Sequence, residues 1–175
     1  ALPRFLDVTD EAHASVVEGL RGGLATGSAL FRATWVATGQ STTAAIDDFG
    51  LGTLFANQNG YPVGLAAGDP TATTCTEIYD GLLQGGRPVV AAAAFSATAA
   101  DLEGNIETAA GNAAVDVVAV PNVVVGDIDT ATACSYYYVG QFREGTSDVN
   151  VTLPVLTYTF TTGEIAQGTL VLDQD

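Results

Sequence analysis

The sequence has no lysine and no methionine, one histidine, one tryptophan, two cysteines and no unbroken apolar run of membrane-spanning length. Each scarcity removes a class of chemistry. Without lysine there is no amine for a Schiff base and none to cradle a nucleoside phosphate. The 5 basic residues, all arginine, face 20 acidic ones, for a net charge of -15 and a pI near 4.1. That surface repels nucleic acid and anionic membrane, both of which need Lys or Arg against phosphate, so no nucleic-acid partner is expected. The same acidity keeps a protein soluble in strong salt. A catalytic triad would have to use His13, the lone histidine, which reads as an exposed position in the first turn of a helix. GxSxG, Walker and clustered-histidine patterns are missing as well, so neither an enzyme nor a cofactor is expected.

Cys75 and Cys134 show no CxxC spacing, which argues against a zinc site and against a thioredoxin-type redox motif. One structural disulfide is favoured over two buried free thiols. Such a bridge closes a loop of roughly 60 residues, worth about 4 kcal/mol in the chain-entropy picture, and implies an oxidising compartment.

What is present is enough for one domain: 175 residues, 47% of them hydrophobic, and 20 glycines. From about Thr9 to Ala37, Val16, Leu20, Leu24, Phe31 and Trp35 recur at helical spacing, with Gly27 and Ser28 filling the gap, and predict one buried face. Asp7 and Asp10 resemble an N-cap pair and Gly39 a stop. Gly19, Gly22, Gly23 and Gly27 each cost that helix about 1 kcal/mol relative to Ala. Either small residues let another backbone come close, or the helix bends near Gly22-Gly23.

Beyond Gly39 the period changes. "QSTTAAIDDFG" reads as loop, and Asn59-Gly60 predicts a two-residue hairpin turn between Leu54-Phe55 and Tyr61-Val63. Pro70 can open a short helix with Ile78, Leu82 and Leu83 on its apolar side, ended by Gly85-Gly86. From Arg87 onward the chain reads as strand and turn, with a turn at Thr162-Gly163, giving an α+β fold with an antiparallel sheet. The run Tyr136-Tyr137-Tyr138, if in a strand, sends two rings to one face and one to the other.

The opening "ALPRFLDVTDEAHASVVEG" resembles the segment that follows the apolar N-terminal run of bacterial type IV pilins, in particular the mannose-sensitive haemagglutinin (MSHA-like) group. "RATWVATGQ", "NGYPVG", "CTEIYDGLL", "CSYYYVGQF" and "LTYTFTTGEI" extend the resemblance over most of the chain. The stretch "AAAAFSATAADLEGNIETAAGN" has no counterpart in it. The resemblance implies a type IV pilin head: residues 1–39 as the second half of the spine helix, 40–74 as an αβ-loop with a hairpin, and 75–175 as sheet and D-region, all one domain. It implies that Cys75 and Cys134 bound the disulfide-linked D-region, and that Pro3, Phe5, Val16, Leu20, Leu24, Phe31 and Trp35 belong to the assembly helix. It further implies a structural subunit of a cell-surface, extracellular pilus, handled by the pilus assembly machinery and packed with other pilin subunits in a helical filament. Contact with the inner membrane would come only through an apolar segment expected ahead of Ala1.

Two other classes compete. Asp127 with Asp129, and Asp47 with Asp48, offer oxygen ligands for calcium in loops, although neither set has the EF-hand pattern and solvated loop charge explains both. Calcium would suit a type II secretion pseudopilin. A free-standing secreted binding domain, lectin-like, would instead show a concave cluster of aromatic and polar side chains on its sheet. Asn150-Val151-Thr152 matches an N-glycosylation triplet, a pattern common by chance.

Overall fold

The structure, a computed structural model, describes residues 3–49, 52–64, 71–83, 85–96, 98–112, 114–121, 133–143 and 151–172. Its first element, helix α1, runs 35 residues from Pro3 to Ala37. Asp7 and Asp10 therefore stand inside the helix instead of capping it, and His13 lies well past its first turn. Gly22-Gly23 does not break it. The stop is as the sequence predicts: Gly39 takes φ 97° and Gln40 returns its N–H to the Trp35 carbonyl at 2.9 Å.

One face of α1 is buried through Val17, Leu20, Leu24, Phe31 and Trp35, each at most 7% exposed. Val16 was expected on that stripe but is 36% exposed, and Val17 takes its place. At 100° per residue, Val17 falls on the side of Leu20 and Leu24 while Val16 turns toward solvent. Each of these large side chains contributes about 2 kcal/mol by leaving water. Gly27 lets the helix sit directly on α2 (Ala72–Leu82), since a Cβ there would meet the Leu82 carbonyl oxygen at 2.5 Å. Close backbone approach is thus the reading that holds at Gly27, whereas Gly19 and Gly22 face open space.

The region after α1 forms a small sheet, β1 (Ile46–Phe49), β2 (Gly52–Ala56) and β3 (Pro62–Gly64), all antiparallel. "IDDF" is thus a strand and not loop. The β2–β3 turn forms at the predicted place but is longer than two residues: Asn57 N–H bonds the Tyr61 carbonyl at 2.9 Å, Gly60 N–H returns to the Asn57 carbonyl at 3.0 Å, and Gly60 takes φ 82°. Asn57 Oδ1 accepts from the N–H groups of Asn59 and Tyr61, and its Nδ2 donates to the Phe160 carbonyl at 2.6 Å, tying this turn to the end of the main sheet. Helix α2 is capped by Thr71, whose hydroxyl accepts from Thr74 N–H at 3.1 Å, and closes at Leu83 before Gly85-Gly86. Pro70 lies outside the described residues.

The main sheet has the order β4 (Val90–Ala92), β5 (Val117–Pro121), β6 (Ala133–Tyr138), β7 (Val151–Thr159), β8 (Ile165–Leu172). Three of its four pairings are antiparallel, but β4 runs parallel to β5 because a helix, α3 (Ala99–Ala110), crosses between them. The segment with no counterpart in the pilin resemblance contains the end of β4 and that crossover helix. Its Leu102, Ile106 and Ala110 cover the sheet face opposite α1 and α2. With both faces covered, β5 and β6 read as unbroken buried runs. The tyrosine run alternates as expected: Tyr136 and Tyr138 lie in the core under α1 and α2, Tyr137 in the core under α3.

Candidate assembly surface

The two cysteines form the expected disulfide. It joins α2 to β6 with a Cα–Cα distance of 5.5 Å, and both residues are fully buried. Three tyrosine hydroxyls tie neighbouring elements together around it: Tyr136 of β6 donates to the Cys75 carbonyl of α2 at 3.0 Å, Tyr158 of β7 to that of Pro62 in β3 at 3.1 Å, and Tyr79 of α2 to that of Pro88 at 3.2 Å. Burial pushes all three phenols well above the usual tyrosine range. For Tyr158 the nearby Ser28 hydroxyl, outside hydrogen-bonding geometry, opposes the rise. Burial also raises Tyr137, to about 12, against the opposing Ser135 hydroxyl.

Of the side chains assigned to the assembly helix, Leu20, Leu24, Phe31 and Trp35 pack inside this body and are not available to another copy. Pro3 and Phe5 belong to α1, with side chains outside the description. The surfaces that α1 leaves open are others. Glu11, Ala12, Ala14, Ser15 and Val16 are exposed, so this stretch of the helix gains little from its own body. His13 is the exception there. It is half-buried and not the exposed surface residue expected, with Nδ1 2.8 Å from the Tyr138 hydroxyl.

Further along, a groove of about 680 Å³ runs beside α1. Gly22, Ala25, Ala29 and Ala33 form its floor, with Ser28 below them; Tyr61, Thr162, Gly163 and Ile165 form the far wall. Arg21 and Arg32 flank it. The Arg21 guanidinium pairs with Glu18 at 2.9 Å. That of Arg32 has no carboxylate partner among the described residues; it lies 5.2 Å from the centre of the Tyr61 ring while Nε donates to the Asn59 carbonyl at 3.2 Å. Ser28 Oγ is buried and has no hydrogen-bond partner of good geometry among the described residues. Residue spacing revealed the buried side of α1; it carried no signal for the groove, whose far wall comes from Tyr61 and from Thr162, Gly163 and Ile165, the last three more than a hundred positions away.

Among the described residues no group of three or more His, Cys, Asp or Glu side chains gathers to hold a metal. Asp47 and Asp48 lie in β1 and not in a loop, while Asp127, Asp129 and Asn150 fall outside the described residues. No described helix is long and apolar enough to cross a membrane. Comparison of the chain with protein-family models, curated proteins and solved structures finds no match in any of the three.

Proposed function

We propose that the chain is the folded head of a type IV pilin, a structural subunit of an extracellular, cell-surface filament. One observation carries the reading: a 35-residue helix is held in the body by Val17 to Trp35, while residues 11–16, His13 excepted, are exposed. A helix extended in this way costs conformational entropy that its own fold does not recover, and packing against copies of itself supplies the missing contacts. The buried disulfide suits an oxidising location, and the sequence resemblance supplies the family. In this reading the chain works by shape and not by catalysis, binds no cofactor, and relies on the assembly machinery to enter the filament.

Immunogold labelling of intact source cells with antibody against the folded chain tests the proposal. Gold along filaments is expected. Labelling confined to the medium, or to the cell body of cells that bear filaments, would overturn it.

A further inference from the structure

We propose that the outer edge of β8 takes an extended segment of another protein, with basic residues at its ends, as a sixth strand of the main sheet. The inference rests on the sheet and stands apart from the pilin reading. β8 ends the strand order, and among the described residues only β7 pairs with it. An open strand edge is a template for pairing, and proteins guard such edges with shortness, charge or proline. The other edges here are guarded: β4 has three residues, β1 carries Asp47-Asp48, and β3 starts at Pro62 and stops at Gly64. β8 has eight residues with neither charge nor proline.

The ladder fixes which groups are free. Thr159 N–H donates to the Glu164 carbonyl at 3.0 Å, and the β7–β8 register then runs unbroken from the Tyr158–Ile165 pair to the Val151–Leu172 pair. Bonded and non-bonded pairs alternate in an antiparallel ladder, so Ala166, Gly168, Leu170 and Leu172 turn their N–H and C=O groups to β7. Those of Ile165, Gln167, Thr169 and Val171 turn away from it. Pro154, which has no N–H, fits this phase, since it stands opposite Thr169 at a non-bonded pair. Ile165 lines the groove beside α1, which leaves Gln167, Thr169 and Val171 as the open run, all exposed and Val171 by 50%.

Charge selects the occupant. After Arg143 the sequence has no basic residue and five acidic ones, of which Glu164 and Asp173 bracket β8. Two β8 strands paired antiparallel would set the Glu164 end of one copy against the Asp173 end of the other, twice, on bodies of net charge -15. Like charges at those positions oppose a second copy. A strand with Lys or Arg at its ends meets carboxylates there instead. Between its ends, a β-branched or aromatic residue beside Val171 gains a cross-strand contact, and an apolar one beside half-buried Leu170 extends the core under α3. The mode is strand addition, in which main-chain hydrogen bonds supply affinity and alternate side chains supply preference.

The probe is an acetylated, amidated peptide of Thr-Val repeats with two lysines at each end, titrated into the whole chain at low salt and followed by NMR. In the free chain, the amides of Gln167, Thr169 and Val171 should exchange with solvent faster than those of Ala166, Gly168 and Leu170. The peptide is expected to bind at about 0.1–1 mM, as a few hydrogen bonds of modest net strength imply, and to slow exchange at the same outward amides. A peptide of equal charge, N-methylated throughout its Thr-Val core, should bind about tenfold more weakly, because it keeps the attraction to the acidic surface and loses the bonds to the edge. Thr169→Pro removes an outward N–H and no bond to β7, and should weaken binding about tenfold where Thr169→Ala leaves it unchanged, with both folds checked by circular dichroism. No binding of the probe, equal binding of the N-methylated peptide, or protection confined to other amides would overturn the proposal. So would outward amides protected in the free chain in step with its concentration, which would seat a second copy on the edge. Each of these results leaves the pilin reading to be decided by the filament labelling.

Discussion

Placing the same small side chain at two glycines of one helix should move stability in opposite directions. Gly19 and Gly27 both lie within α1, and replacing either by Ala gains about 1 kcal/mol of helix propensity. At Gly19 nothing lies within 4 Å of the added Cβ, so the gain stands alone. At Gly27 the Cβ would meet the Leu82 carbonyl oxygen at 2.5 Å and the Leu82 Cβ at 3.0 Å. A backbone carbonyl in the last turn of α2 cannot swing aside as a side-chain tip can, so α1 must lift from α2, at the roughly 1–3 kcal/mol typical of overpacking or somewhat more. The expected outcome is Gly19→Ala stabilised by about 1 kcal/mol and Gly27→Ala destabilised by up to about 2 kcal/mol. In a domain of this size, that puts the melting temperatures several degrees apart on opposite sides of wild type. Thermal denaturation followed by circular dichroism reads both. Gly27→Ala melting at or above Gly19→Ala would refute the close α1–α2 packing on which the whole account of the helix rests.

Reducing the Cys75–Cys134 bridge should lower stability by about 4 kcal/mol, given a sequence separation of 59, as urea midpoints with and without reductant would show; an unmoved midpoint would contradict it. Asn57→Ala removes acceptors for two backbone N–H groups and a donor to Phe160, and should cost about 2–3 kcal/mol in the same assay while leaving the disulfide intact. Alkaline pH should unfold the protein through its buried tyrosines. Their folded pKa values are raised above the ordinary value of 10.0, so their contribution is fully present below pH 10 and is lost as pH rises through the folded values. Tyr137 alone, raised to about 12, accounts for about 3 kcal/mol over that interval. Phenolate absorbance and circular dichroism should change together above pH 10, and phenolate forming without unfolding would count against the burial.

Features set by local pattern were legible in the sequence: the long helix from its apolar spacing, the β2–β3 turn from Asn59-Gly60, the β7–β8 turn from Thr162-Gly163, and the strands from their Val, Thr and Tyr. Two elements were not. Helix α3 buries only Leu102, Ile106 and Ala110 within an alanine-rich stretch, so its period is faint and its partner, the far face of the sheet, is nonlocal. Strand β1 carries Asp47-Asp48, residues disfavoured in strands, and forms because β2 pairs with it through Ile46 and Phe49. The role of His13 was hidden for the same reason: Tyr138, its hydrogen-bond partner, lies 125 positions away. The assembly side chains sorted themselves by a single residue step of the helix, Val17 inward and Val16 outward, a distinction finer than spacing at three- and four-residue steps resolves.

The most direct measurement of the central claim is the protein composition of filaments sheared from the source cells. The account predicts this chain as a component of them, with Cys75 and Cys134 disulfide-linked within each copy. Filaments free of the chain, with the chain recovered monomeric in the surrounding medium, would contradict it.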